Sequence, residues 1–222
     1  MVIMVGPTGS GKTTTLYAML NLINSPSRNI LTIENPVEYE LPGITQISID
    51  PDQDLDFSKT LRAALRQDPD VILIGEIRDE ETAEIAVKAA LTGHLVLTTL
   101  HSRDALTVIQ RLKNLGISAD LLSETLNLIV SQKLVRRLCR HHRREKNCRN
   151  CRGTGYHGRT PLYEILQLNQ ELRDRIRENV SGPALLEGVE GVYFRGMKET
   201  AGLLLEQRIT DKKELRPHLE GF

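Results

Sequence analysis

The sequence predicts a parallel α/β fold carrying a small cysteine-bearing module and a set of C-terminal helices. Three observations predict it. A glycine-rich loop at residues 6–13 stands between a short apolar run and a helix-forming segment. Apolar, β-branched runs then alternate with amphipathic stretches as far as residue 100, the pattern of strands joined by crossover helices. Beyond residue 104 the spacing turns helical, interrupted by a basic stretch that holds all three cysteines.

Val2-Ile3-Met4-Val5 is the first strand. Gly6 to Thr13 reads G-P-T-G-S-G-K-T, a complete G-x-x-x-x-G-K-[ST] phosphate loop, and Thr14 to Leu20 continues it as a helix. The spacing has a chemical reason. Glycines let backbone N–H groups crowd around phosphate oxygens, Lys12 brings a point charge to the β- and γ-phosphates, and the Thr13 hydroxyl is placed to ligate Mg²⁺. The expected ligand is ATP with Mg²⁺, held by Gly6, Pro7, Thr8, Gly9, Ser10, Gly11, Lys12 and Thr13, with Thr14 following. The plain alternative is a glycine-rich strand-to-helix turn that binds nothing.

Asn29 to Glu34 is a second strand, stopped by Asn35-Pro36 because proline lacks a donor and restricts its predecessor. Glu34 and Glu38 therefore flank a strand end, where a shared metal site is plausible. Ile44 to Asp50 alternates like a strand, and residues 50–54 form a polar turn. Phe57 to Gln67 is a helix with Leu61, Ala64 and Leu65 on one side and Arg62 and Arg66 on another. Val71-Ile72-Leu73-Ile74 is an uninterrupted apolar run, the signature of a strand covered on both faces. It ends at Gly75-Glu76. In a phosphate-loop enzyme the catalytic carboxylate sits at such a strand end, so Glu76 is the candidate that holds Mg²⁺ through water or polarises the attacking water. The alternative is a solvated loop glutamate beside an Arg78–Asp79 charge pair.

Glu80 to Leu91 is helical, and Leu95 to Leu100 is a β-rich run bounded by His94 and His101. A ring nitrogen of His101 could sense the γ-phosphate; either histidine could equally be structural. Helices are expected over Ala105–Leu115, Asp120–Leu138, Leu168–Val180, Met197–Gln207 and from Thr210, with short amphipathic helices returning from Leu162 onward.

The 222 residues are 40% hydrophobic, enough for one sizeable core and a small appendage. No run approaches the roughly eighteen apolar residues of a membrane span, and a soluble, cytoplasmic protein is expected. Net charge is zero, which gives nucleic acid no support as the main partner. Residues 133–159 nevertheless hold ten Lys/Arg against one acid. Within them Cys139-x-x-His142 and Cys148-x-x-Cys151 offer four ligands in two short pairs, the grouping a tetrahedral structural zinc requires. His141 is the alternative to His142, and three unmetallated thiols in a tight loop the alternative to zinc. The expected division is a core at 1–135, a zinc-binding module at 136–160 and a helical subdomain at 161–222.

Five ordered segments carry a family resemblance: Gly-Pro-Thr-Gly-Ser-Gly-Lys-Thr at 6–13, Thr-Ile-Glu-Asn-Pro-Val-Glu-Tyr at 32–39, Leu-Arg-Gln-Asp-Pro-Asp at 65–70, Gly-Glu-Ile-Arg-Asp at 75–79, and Thr-Gly-His at 92–94 running on to Thr-Leu-His at 99–101. They resemble the Walker A, aspartate-box, Walker B and histidine-box motifs of the type II secretion and type IV pilus assembly ATPases. The likeness continues through Cys-Arg-Gly-Thr-Gly-Tyr-His-Gly-Arg at 151–159. It implies a RecA-like ATPase core, a hexameric motor driving pseudopilus or pilus assembly at the cytoplasmic face of the inner membrane, and an N-terminal domain outside this chain. Asn35 stands where the family usually has aspartate, so a role for that carboxylate does not carry over, whereas Glu34 and Glu38 match. His142 stands for one of the family's four cysteines. Arginine from a neighbouring subunit commonly completes ring ATPase sites, and Arg62, Arg66 and Arg78 are the candidates. The basic stretch is suited to anionic lipid or to an acidic surface of a membrane platform protein.

Two other functions compete. One is a nucleic-acid translocase with a zinc knuckle, which 4% aromatic content and the absence of tryptophan weaken by removing stacking platforms. The other is an ATP-binding scaffold without turnover, for which Asn35 is the only hint.

Overall fold

The computed structural model describes residues 1–50, 56–141, 148–188 and 193–219. The described strands are β1 (Val2–Val5), β2 (Ile30–Glu34), β3 (Thr45–Ser48), β4 (Val71–Ile74), β5 (Leu95–Leu100), β6 (Leu128–Leu138), β7 (Tyr156–Gln167) and β8 (Phe194–Arg195). They form one sheet in the order β3-β2-β4-β5-β1-β6-β7-β8. From β3 to β6 every neighbouring pair is parallel; β7 and β8 are added antiparallel. The helices are α1 (Lys12–Ile23), α2 (Phe57–Leu65), α3 (Glu80–Leu91), α4 (Ala105–Asn114), α5 (Ala119–Thr125), α6 (Gln170–Arg177), α7 (Met197–Glu206) and α8 (Lys212–Leu219).

Alternation of side chains builds the layers. Met4, Leu73, Leu97 and Val130 face one side and pack on Leu16, Tyr17 and Leu20 of α1. Ile3, Val5, Ile33, Ile72, Ile74 and Leu100 face the other, against Ala83 and Val87 of α3 and Val108 and Leu112 of α4. Each fully buried side chain of this kind contributes about 1.5–3 kcal/mol, so the parallel strands form the rigid part of the molecule. Helix starts are fixed by side-chain caps: Asp56 accepts from Lys59 N at 2.7 Å, Asp79 from Thr82 N at 2.8 Å and Asp104 from Thr107 N at 2.8 Å.

The second half departs from the expected helices. The segment 120–138 is helical only as far as Thr125, and Leu128–Leu138 is the long strand β6. Residues 162–167, expected as helix, complete β7. The reason is tertiary. β6 lies between β1 and β7 with both faces covered: Val130 packs on the α1 side, Ile129 on the other, and Val135 beneath α7 and α8. A strand buried on both faces shows no period-two alternation, and its spacing imitates a helix. Pro161 is tolerated because β8 pairs only with Ile165 and Leu166, leaving β7 a neighbour on one side there. The lines drawn at 135/136 and 160/161 cross the ladder where Val135 faces Thr160, so the sheet runs without a break from the core into the cysteine-bearing hairpin. The polar turn at 50–54 lies almost wholly outside the described residues.

Candidate nucleotide site and cysteine cluster

The loop from Gly6 to Thr13 joins the end of β1 to α1, with Gly6, Gly9 and Gly11 at φ +143°, +76° and +83°. Only glycine adopts these angles without strain. A Cβ on Gly6 would also lie 2.1 Å from the backbone oxygen of Gln132. Lys12 Nζ donates to the carbonyls of Gly6 at 2.9 Å and Pro7 at 3.2 Å, which folds the ammonium back over the loop. Burial pulls its pKa below the ordinary lysine value, and the negative charge of Glu76 offsets part of that. A cavity of about 350 Å³ opens here. It is lined by Gly9, Gly11, Lys12, Thr13 and Thr14 of the loop and helix start, together with Glu38, Tyr39, Leu134 and Arg159. A nucleotide triphosphate fits this donor set of loop backbone, ammonium and hydroxyl, and the Thr13 hydroxyl fits Mg²⁺.

Glu76 follows β4, its side chain 15% exposed. It sits between Arg78 Nη2, in direct ion-pair contact, and His101 Nε2 at 3.3 Å. Burial raises its pKa, but the arginine and the histidine outweigh that, so the carboxyl titrates below the ordinary glutamate range. The Arg78–Asp79 pair of the alternative reading does not form: Arg78 turns to Glu76, and Asp79 caps α3. His94 is accounted for structurally, since its Nδ1 lies 2.9 Å from the Ala89 carbonyl and 3.1 Å from the Thr92 hydroxyl at the end of α3.

Glu34 and Glu38, paired in the sequence reading, occupy different places. Glu38 lines the cavity. Glu34 is 3% exposed, and its two oxygens accept from Tyr17 OH at 2.6 Å and Thr32 Oγ1 at 2.7 Å. Burial, then the hydrogen bond to Glu34, pushes the Tyr17 pKa up. Because Tyr17 belongs to α1 and also meets Tyr39 edge-on at 4.8 Å, the loop bearing Glu38 is tied to the phosphate-loop helix. Arg66 lies at the C-cap of α2, exposed, where Nη1 donates to the Arg62 carbonyl at 3.1 Å. Arg62 pairs with Glu81 at 2.7 Å.

Cys139, Cys148 and Cys151 are buried, and their sulfurs lie within 4.8 Å of one another. Cys139 and Cys148 are 3.7 Å apart. Tetrahedral zinc with Zn–S bonds of about 2.3 Å sets its sulfurs about 3.8 Å apart, so the three thiols fit that ion. Backbone bonds from Arg152 N to Cys148 O and from Thr154 N to Cys151 O, both under 3.0 Å, shape the second pair into a tight turn. His142 lies outside the described residues. His141 is described, and its ring is not part of the group of three.

Sequence reasoning passed over three residues. Tyr17 carries no motif signal of its own, and Arg159 closes the 151–159 segment without that likeness giving it a role in the site. Gln132 looked like one polar residue in a helix; it is 3% exposed and bonds the phosphate loop at Ser10 and the first turn of α1 at Thr15. A glycine forced to φ +143° against a neighbouring strand was the one available hint, and it needs the fold to be read.

Fold and site together define a RecA-like phosphate-loop protein of the α/β class. The chain belongs to the family described as Type II/IV secretion system protein, whose model matches residues 1–216. It is 48% identical over 206 residues to the Type II secretion system protein HxcR of Pseudomonas aeruginosa, covering 90% of this chain and 44% of that protein. Against the Type IV pilus assembly ATPase PilB of the same species it is 40% identical over an alignment of 241 positions, covering 97% of this chain and 42% of the relative. The chain thus spans less than half the length of these two relatives. Among solved structures, the pilus retraction motor PilT aligns with TM-score 0.77 and 34% identity over 99% of this chain and 61% of that one. The Legionella pneumophila ATPase DotB aligns with TM-score 0.77 and 27% identity, over 100% of this chain and 60% of that one. No described helix is long and apolar enough to cross a membrane.

Proposed function

We propose that this chain is the ATP-hydrolysing part of a hexameric motor that powers pseudopilus or pilus assembly from the cytoplasmic face of the inner membrane. The observation that carries the reading is the cavity beside Lys12 and Thr13, with Glu76 close enough to Lys12 to act on its charge. The relatives named as secretion and pilus assembly proteins support the motor role, and the PilT structure, which holds bound ADP, supports the ligand.

In this reading the loop amides and Lys12 hold the β- and γ-phosphates of ATP. The Thr13 hydroxyl, and Glu76 through water, would hold Mg²⁺, which when bound neutralises charge on the phosphate oxygens. Glu76, kept ionised by its neighbours, orients the attacking water, and Glu38 adds a second carboxylate from the lining of the cavity. His101 holds the Glu76 carboxylate by its second oxygen and so reports on the state of the γ-phosphate. Glu34 acts from behind, through Tyr17 and the loop that bears Glu38. Arg66 and Arg62, exposed on α2, supply positive charge to the site of the adjacent subunit. Cys139, Cys148, Cys151 and His142 would hold a structural zinc that cross-links the tip of the β6–β7 hairpin. The Lys/Arg-rich stretch 133–159 meets anionic lipid or an acidic surface of the membrane machinery.

Steady-state ATP hydrolysis by the purified protein, with and without single-stranded DNA, tests the reading. Turnover that Lys12→Ala abolishes and DNA leaves unchanged is expected. Wild-type-like turnover in Lys12→Ala overturns the site, and strong DNA stimulation favours a translocase instead.

A further inference from the structure

Gln132 lies on β6, 122 residues from Ser10 in sequence, and because β6 pairs with β1 its side chain reaches the phosphate loop. Nε2 donates to the Ser10 carbonyl at 2.7 Å, and Oε1 accepts from Thr15 Oγ1 at 2.9 Å. Its main-chain oxygen occupies the place a Cβ on Gly6 would take, and its Nε2 would lie 3.1 Å from a Cβ on Gly11. One residue therefore touches the start of the loop, its middle and the first turn of α1. Its own amide is satisfied at both ends, with 3% exposure, so its geometry is set by the fold and not by solvent.

The Ser10 contact has a directional consequence. In a trans peptide the carbonyl and the following N–H point in opposite directions. Holding the Ser10 oxygen against β6 therefore turns the Gly11 N–H away from β6, toward the cavity that Gly11 lines. Gly11 is at φ +83°, and a glycine peptide reverses at little steric cost. Gln132 Nε2 is the side-chain donor that holds the Ser10 oxygen, and that bond favours the orientation with the amide on the anion's side. We propose that Gln132 is a positioning residue for nucleotide binding: it fixes the Ser10–Gly11 peptide so that the Gly11 N–H is presented to the phosphates before nucleotide arrives.

The proposal rests on the reading of residues 6–13 as a nucleotide site and deepens it. Because the strut orders the empty loop, its loss should raise KM and weaken ADP binding, while kcat at saturating ATP changes little. A residue that merely supports the fold would lower the melting temperature without this split. The test uses fluorescent ADP binding and steady-state ATP hydrolysis on the parent chain, Gln132→Met and Gln132→Glu. The first variant keeps length and loses both hydrogen bonds. The second keeps the acceptor for Thr15 and sets a carboxylate oxygen against the Ser10 carbonyl. ADP affinity is expected to fall about tenfold or more in each, with kcat within about threefold of the parent. Thr15→Val, which leaves Gln132 in place but frees its Oε1, should weaken ADP about threefold, and it supplies the result if the buried variants do not fold. Parent-like ADP affinity in the folded Gln132 variants, or in Thr15→Val if those do not fold, overturns the strut. A parent chain that binds no ADP overturns the nucleotide-site reading itself, and with it this proposal.

Discussion

Glu76 and His101 meet across the parallel pair β4–β5, carboxylate Oε2 to imidazole Nε2 at 3.3 Å. Neither residue lies in a strand. Glu76 stands two residues past the end of β4 and His101 directly after β5, and the two ends are held level by Thr99 Oγ1 donating to Gly75 O at 2.6 Å and Ile77 N donating to Thr99 O at 3.1 Å. The second carboxylate oxygen is taken by Arg78. Glu76 does not line the cavity itself but lies close enough to Lys12 to act on its charge, and a carboxylate held on both oxygens has one orientation, which suits a group that aligns a water molecule.

Glu76→Gln should therefore retain Mg·ATP binding while losing hydrolysis by roughly 10²-fold or more, the usual worth of a positioned base. Nucleotide affinity by fluorescence, set beside single-turnover rates, checks it. A collapse of affinity with normal turnover of bound ATP would assign Glu76 to binding instead.

Metal analysis of the purified protein should find about one zinc per chain, inferred from the four-ligand set. Changing Cys148 and Cys151 together to serine should remove it. The hairpin tip should then exchange its amide protons faster, while ADP binding stays near the parent value, because the phosphate loop is anchored on β6 at Gln132, seven residues before Cys139.

Activity per chain should rise with protein concentration if Arg62 and Arg66, exposed at the end of α2, serve the site of an adjacent subunit. In mixed assemblies a Lys12→Ala subunit should rescue an Arg66→Ala subunit, each supplying what the other lacks. High activity at dilutions where sizing shows only monomer would rule out a shared site.

The docking of α8 on β6 should be acid-sensitive. The Arg136 guanidinium, by hydrogen bonds at 2.8 and 2.5 Å, holds the Glu214 carboxyl below the ordinary glutamate range against the opposing effect of burial. A depressed folded-state pKa contributes stability that is full above the unfolded value and lost as pH falls through the folded one. Hydrogen exchange in α8 should accordingly quicken on acidification, and Glu214→Gln should remove that dependence. An unchanged pH profile in the variant would show that another carboxyl governs it.

Much of the parallel half was legible because local signals agreed there: the phosphate-loop motif, the all-apolar β4, the prolines and glycines between elements. β6 was not, because residues 120–138 contain neither glycine nor proline and the strand is covered on both faces. Nothing local distinguishes it from the helix that precedes it. The site divides the same way. Lys12, Thr13, Glu38 and Glu76 announce themselves by spacing, and the structure brings all of them to one end of the sheet. Gln132 and Tyr17 do not, since a neutral amide or a phenol acquires its role only from what the fold places beside it.

The unbroken run of β6 has a mechanical consequence. From Gln132 to Cys139 the chain rises seven residues, about 23 Å at strand spacing, and β7 stiffens it along most of that length. A two-stranded arm of that length multiplies angle into distance: a tilt of about 5° at the phosphate-loop end moves the cysteine end by roughly 2 Å. The ladder slips register only between Arg136 and Leu138, where Arg136 is clasped by Glu214 of α8. Any such lever stroke therefore reaches the C-terminal helices before it reaches the tip.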